Sequence, residues 1–297
     1  MKKAKRIRGQ LHGFLAIGIL ILSTSLGFIP ILLLGVLKLF PNRHWQLFCT
    51  KMVDVVASWW SAINSAYIKR TQCITWEVDG LENLSRQNSY LVIANHQSWL
   101  DIVVLQHLFN RKIPVLKFFI KDQLKWVPLL GFAWWAMGCP FMKRYSKEYL
   151  VKNPHKKGKD LLAASKAIEL FKHAPATIMS FVEGTRFSMQ KSKEQKSPYQ
   201  FLLKPKAGGL SFVISTMGHQ FTSLLDVTII YSNAKHSLWD FLCRRIDAIK
   251  VHIRHLPIPK QFLSPSLIAD DKAQEEFRNW LNNSWYEKDR LIASLKA

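Results

Sequence analysis

The chain has 297 residues, enough for one sizeable α/β domain with an appendage or for two small domains, and 48% of them are apolar, which excludes disorder throughout. A net charge of +22 is extreme for so hydrophobic a chain and points to an anionic partner, either nucleic acid or a lipid surface. Four cysteines, Cys49, Cys73, Cys139 and Cys243, lack any paired spacing, so neither a zinc site nor a disulfide framework is indicated, and a reducing compartment is the default.

Lys2, Lys3, Lys5, Arg6 and Arg8 open the chain, after which no Lys, Arg, Asp or Glu occurs until Lys38. That interval exceeds the roughly 20 residues a helix needs to cross a bilayer. A cleaved signal peptide is the competing reading, but the apolar stretch is too long and lacks a convincing small-residue cleavage site before Pro30. We read it as a retained membrane segment with a weak point at Ser23-Thr-Ser-Leu-Gly-Phe-Ile-Pro30, where the helix kinks or bends back. Residues 52–68 carry only Asp54 as a charge, and Trp45, Trp59, Trp60 and Tyr67 suit a helix at headgroup level, the second leg of a hairpin. Basic residues flank the first segment on both sides. A helical pair that returns to the cytoplasmic face satisfies both flanks, and a single crossing helix is the alternative. Residues 1–72 are therefore expected to be the membrane anchor and 73–297 the α/β domain.

From Gln72 onward short apolar runs alternate with longer amphipathic ones, the pattern of a mixed α/β sheet flanked by helices. Strands are expected near 73–78, 90–94, 113–119, 139–143, 177–182, 223–231 and 247–254. Helices are expected at 99–109, 129–137, 158–173, 206–218 and 271–295. Two polar insertions, 143–160 and 187–206, read as loops. His252 and His255 fall on opposite faces of a strand and so form no metal site; none is expected in the chain.

Within Tyr-Leu-Val-Ile-Ala-Asn-His-Gln-Ser-Trp-Leu-Asp, residues 90–101, a buried strand gives way to a polar cluster. Ser98-Trp-Leu-Asp101 has the form of a capping box, and the apolar residues after it continue as a helix. His96 then lies in the turn, within reach of Asp101. Two readings stand side by side. In one, Asp101 accepts from one imidazole nitrogen and leaves the other free to take a proton. In the other it only caps the helix, worth about 1 kcal/mol.

A second strand, Thr177 to Val182, runs into Glu183-Gly-Thr-Arg186, again placing polar groups at a strand's C-terminal end, where α/β sheets build sites. Gly184 permits a tight turn, Thr185 offers a hydroxyl and Arg186 a planar fork suited to phosphate. Nucleic acid is disfavoured, because the aromatic residues sit in apolar segments and are not interleaved with the basic runs.

Together these blocks resemble the 1-acylglycerol-3-phosphate O-acyltransferase family of glycerophospholipid acyltransferases. Asn95, His96 and Asp101 match its Asn-His-x4-Asp block, Gly138-Cys-Pro-Phe-Met-Lys-Arg144 its second, and Phe181, Glu183, Gly184, Thr185 and Arg186 its Phe-x-Glu-Gly-Thr-Arg block. Lys121, Leu124, Pro128 and Gly131 match the connection between the first two. The family's Val-Pro-Val strand is replaced by Leu225-Asp226-Val227-Thr228, and Phe187 stands where many members have Ser; both departures resemble the longer, membrane-anchored branch.

The resemblance implies transfer of an acyl group from acyl-CoA or acyl carrier protein to the sn-2 hydroxyl of 1-acylglycerol-3-phosphate, forming phosphatidate with no further cofactor. His96 and Asp101 would be catalytic, with Asn95, Lys121, Arg144, Glu183, Gly184, Thr185 and Arg186 binding substrate. The chemistry agrees, since a hydroxyl attacking a thioester needs a base, typically worth about 10² to 10⁴ in rate. The rivals are another lysophospholipid acceptor and a non-catalytic protein that binds anionic membrane lipids. Because the donors are cytosolic, the catalytic domain is expected on the cytosolic side of the inner (cytoplasmic) membrane, with segments 11–40 and 44–68 as a pair that enters the leaflet and returns.

Overall fold

The computed structural model describes residues 2–128, 130–139, 141–142, 174–232 and 236–296. It opens with two long helices, α1 (Lys2–Leu37) and α2 (Arg43–Thr71). They run antiparallel, tied by Ser23 Oγ donating to Asn64 Oδ1 (3.2 Å), Trp60 Nε1 to Thr24 Oγ1 (3.2 Å) and Tyr67 OH to His12 Nε2 (3.4 Å). The chain does not turn back at Pro30. There α1 continues to Leu37, and the reversal falls at residues 38–42, where Asn42 caps α2 by accepting the Trp45 N–H (3.0 Å). Proline removes one backbone donor, and packing along α2 outweighs that single loss.

The strands are β1 (Thr75–Asp79), β2 (Tyr90–Ala94), β3 (Leu116–Phe118), β4 (Ile120–Lys121), β5 (Phe141–Met142), β6 (Thr177–Phe181), β7 (Ser223–Tyr231) and β8 (Ala248–Leu256). The main sheet is mixed, in the order β1-β8-β7-β2-β6-β3. Strands β7, β2, β6 and β3 run parallel, β8 is antiparallel to β7, and β1 is parallel to β8. Within the segment expected as a strand at 139–143, β5 stands outside this sheet and, among the described residues, pairs only with β4. Among the described residues the other α-helices are α3 (Leu100–Phe109), α4 (Leu130–Ala136), α5 (Met189–Glu194), α6 (Ala207–Met217), α7 (Leu238–Leu242), α8 (Ser266–Ala269) and α9 (Asp271–Lys296). The second insertion is not wholly loop, because Ser188 caps α5 by accepting the Lys191 N–H. The first insertion from residue 143 on and the helix expected at 158–173 lie outside the described residues.

Strand β2 is buried on both faces, which is why it reads as an unbroken apolar run and not as an alternation. Leu91 and Ile93 face α6, α8 and α9, while Tyr90, Val92 and Ala94 face α3 together with Ala16 and Ile68 of the helical pair. A buried charge cluster ties α9 to the sheet. Asp226 on β7 pairs with Lys288 of α9 and Arg254 of β8 (2.6 Å each), and Lys288 also donates to the Val227 carbonyl (2.6 Å).

The helical pair is pinned to the sheet domain at both ends. His12 Nδ1 donates to the Leu242 carbonyl (2.8 Å), and Lys38 Nζ donates to that of Ala136 (3.1 Å). Between these ends Asp54 of α2 pairs with Lys117 of β3. The outer face of the pair is apolar and exposed, with Leu15, Leu22, Leu26, Leu33 and Trp59 each about 60% accessible. Among the described residues one helix, Arg6–Leu37, is long and apolar enough to cross a membrane.

Candidate active site

Because β2, β6 and β7 are parallel neighbours, with Ala94 facing both Phe181 and Val227, their C-terminal ends converge. The turn after β2 carries His96. Its Nδ1 lies 2.8 Å from Asp101 Oδ2. A carboxylate only accepts, so Nδ1 carries the hydrogen and Nε2 keeps its lone pair. The imidazole, 15% accessible, stacks on Phe181 with ring centroids 4.0 Å apart.

Asp101, wholly buried, orients the imidazole and holds the turn before α3. The capping box expected over Ser98 to Asp101 does not form, because the helix N-cap is Trp99, which makes no side-chain cap bond, and the Asp101 N–H goes to the Ser98 carbonyl. Asp101 Oδ2 accepts the backbone N–H groups of Gln97 (2.7 Å) and Ser98 (2.9 Å) as well as His96 Nδ1, so holding the turn and orienting the imidazole belong to one oxygen. Its Oδ1 accepts from the hydroxyl of Tyr231 (2.5 Å). Ser98 Oγ, also buried, accepts the Leu100 N–H (3.2 Å).

Glu183, at the end of β6, laces the two blocks together. Oε1 accepts the His96 N–H (3.0 Å), Oε2 accepts the Leu203 N–H (2.9 Å), and four residues on Phe187 donates to the His96 carbonyl (2.7 Å). Burial pushes the Glu183 carboxyl up to about 7, against the opposing pull of its backbone donors. The turn requires φ of +71° at Gly184, which only glycine adopts without strain. Asn95 is buried with both amide atoms on Ile229, Nδ2 to its carbonyl (2.9 Å) and Oδ1 from its N–H (2.8 Å). Asn95 and Glu183 thus turn their polar atoms onto the backbone that shapes the site.

Arg186 is exposed, its guanidinium 5.2 Å from the ring centre of Trp99, itself 60% accessible. Thr185 Oγ1 accepts from Lys191 Nζ (2.8 Å), a cation the sequence reading did not single out. Lys121 lies on β4 opposite Met142 of β5; its side chain and the whole of Arg144 are outside the described residues. Tyr231 was also missed, and its one signal is a position at the C-terminal end of a strand parallel to β2; Phe181, matched in its block but given no role, has the same position on β6. Among the described residues no group of three His, Cys, Asp or Glu stands together to hold a metal, and His252 and His255 bond instead to Asp79 and the Gly80 carbonyl.

A family model named Acyltransferase matches residues 75–240, more than half of the chain. The mouse 1-acyl-sn-glycerol-3-phosphate acyltransferase epsilon is 23% identical over 231 residues, 69% of this chain and 58% of that protein. The 2-acyl-1-lysophosphatidylinositol acyltransferase of Saccharomyces cerevisiae is 25% identical over 242 residues, 69% of this chain and 61% of that one. The chain thus spans about three-fifths of the length of these relatives. In fold it is similar to the solved 1-acyl-sn-glycerophosphate acyltransferase PlsC of Thermotoga maritima, with a TM-score of 0.56, 19% identity and coverage of 100% of this chain and 98% of that one. With the matched segment enclosing both the His96 turn and the Glu183 turn, the chain belongs to the acyltransferase family.

Proposed function

We propose that this acyltransferase moves a fatty acyl group from acyl-CoA or acyl carrier protein to the sn-2 hydroxyl of 1-acylglycerol-3-phosphate, with His96 as general base. The observation that carries this is the 2.8 Å bond from His96 Nδ1 to buried Asp101. His96 Nε2 takes the hydroxyl proton as the oxygen attacks the thioester carbon, and Asp101 stabilises the imidazolium. The C–S bond then breaks, and the thiolate, with a conjugate-acid pKa of about 8.5, recovers the proton from His96. An acyl-enzyme route through Ser98 is disfavoured, because its hydroxyl is buried and engaged at the helix start.

Arg186, exposed and beside Trp99, is our choice for the acceptor phosphate, with Lys121 and Arg144 of the other matched blocks. Gly184 and Thr185 shape that turn. Asn95 and Glu183 are assigned as positioning residues, since both are buried and bonded to backbone. The name of the mouse relative favours lysophosphatidate as acceptor; that of the yeast relative favours a larger inositol headgroup, the second reading. Purified protein in detergent, given one labelled acyl donor and a panel of lysolipids, distinguishes them. Preferred transfer to lysophosphatidate is expected. Preference for lysophosphatidylinositol would establish the second reading, and transfer to no lysolipid would overturn both.

The helical pair is proposed to lie within the cytoplasmic leaflet, with the N-terminus and the catalytic domain both in the cytosol. His12 and Lys38 both bond to the sheet domain, yet the 26 steps from one to the other span about 39 Å of helix, more than the ~30 Å hydrocarbon core. A crossing helix would place those contacts on opposite sides. Basic residues at both flanks and the apolar outer face support an anionic lipid surface as partner. Cysteine reporters at positions 3 and 193, in a background without native cysteines, test it. Protection of both in intact cells is expected, and labelling of either from outside contradicts the arrangement.

A further inference from the structure

Strand β7 is longer than its neighbour β2. It faces Ala94 at Val227 and runs four residues further, bringing Tyr231 beside the turn that carries His96 and Asp101. Both the Tyr231 ring and the Asp101 carboxylate are buried, and they meet at 2.5 Å, phenol to Oδ1. Oδ2 is already shared among His96 Nδ1 and two backbone N–H groups, so Tyr231 holds the opposite oxygen. Its own position is fixed on two sides. Asn95 and Gln97 bond to the backbone of Ile229 two residues earlier, and the His236 ring stacks on the phenol ring with centroids 4.8 Å apart.

We propose that Tyr231 is a positioning residue for acyl transfer, its hydroxyl locking the Asp101 carboxylate in the rotation that presents Oδ2 to His96. This rests on the reading of His96 and Asp101 as the base. The ring alone would serve the core equally well as phenylalanine, since it belongs to the apolar cluster on the α3 face. The hydroxyl is what the core does not need. Burial and the adjacent Asp101 charge push the phenol well above its ordinary range, which keeps it a donor. A carboxylate free to rotate would divide its lone pairs differently between the imidazole and the backbone, and His96 would lose its fixed tautomer and aim.

The test uses the full chain in detergent, comparing Tyr231→Phe, Asp101→Asn and the double variant for kcat, both KM values and thermal unfolding. A lost hydrogen bond to a charged group predicts a fall in kcat of about ten- to a hundred-fold for Tyr231→Phe, with both KM values nearly unchanged. In the Asp101→Asn background the same substitution is expected to cost less than about two-fold, because the residue it acts through is gone. Tyr231→Phe with a lowered melting temperature and parental kcat would overturn the proposal, leaving Tyr231 a core residue. Equal losses in both backgrounds would overturn it too. Should His96→Ala retain parental turnover, it is the reading of the base that fails, a result the Tyr231 variants cannot mimic.

Discussion

Asp101 and Asp226 are both wholly buried carboxylates of one sheet domain, and they are held in opposite ways. Asp226 faces two cations, Lys288 and Arg254 at 2.6 Å each, with Arg254 extended to Glu287 (2.7 Å). Asp101 is held by dipoles: two backbone N–H groups, a phenol and an imidazole. A carboxylate between two cations has its charge already answered, and its worth is to lock α9 and β8 onto β7. One held by dipoles keeps a charge that can stabilise an imidazolium when it forms. Burial alone does not mark the catalytic carboxylate; the kind of partner does.

The comparison breaks most visibly at Asp101. Asp101→Asn is expected to lower kcat by about 10² to 10⁴ while costing only about 1 to 2 kcal/mol of stability. Steady-state turnover beside thermal unfolding checks this, and a loss of stability without a loss of kcat would return Asp101 to a plain cap. Asp226→Asn is expected to do the reverse. Removing one partner of a buried charge cluster typically costs about 3 to 5 kcal/mol, whereas turnover per folded molecule should stay within a few-fold of the parent. Denaturant unfolding with activity corrected for folded fraction reads both.

Smaller effects sharpen the same division. Arg186→Ala removes a charge-assisted contact of about 1.5 to 3 kcal/mol, so KM for the phosphate-bearing acceptor should rise about ten- to a hundred-fold and that for the thioester donor hardly at all. Equal rises for both substrates would give Arg186 a structural role. Glu183 is buried like the two aspartates but held by backbone N–H groups alone, and burial raises its pKa from 4.5 to about 7. A raised pKa favours the protonated fold, so its stabilising contribution is complete below about pH 4.5 and is lost as pH rises through about 7. Melting temperatures between about pH 5 and about pH 8 should therefore fall less steeply in Glu183→Gln than in the parent. The same slope in both would separate Glu183 from that titration.

What was legible in the sequence was local or carried by a strand end. The β2 run, the helix start after Ser98 and the Glu183 turn each lie within a dozen residues, so hydrophobic pattern and strand polarity place them. The capping box read at Ser98 nevertheless gives way to a helix whose N-cap, Trp99, makes no side-chain cap bond. The partners of those groups were not legible. Tyr231 stands 130 positions from Asp101, and Lys288 meets Asp226 through a helix whose face is chosen only by packing. The departure at Leu225-Asp226-Val227-Thr228 gains its meaning there, since Asp226 anchors α9 and the strand continues to Tyr231. Likewise the apolar length of α1 was plain, whereas its bonds at His12 and Lys38 depend on where Leu242 and Ala136 arrive in the fold. The α5 helix was missed because a polar insertion of Ser, Gln and Lys reads as loop unless the Ser188 cap is weighed.

The central claim, that the dyad at the end of β2 performs the transfer, meets its most direct test in His96→Ala. The purified variant should keep the parent's melting temperature and membrane association, because the imidazole is partly exposed and outside the core. Its single-turnover rate of acyl transfer to lysophosphatidate should fall by about 10² or more. A folded His96→Ala protein that transfers at the parental rate would contradict the account.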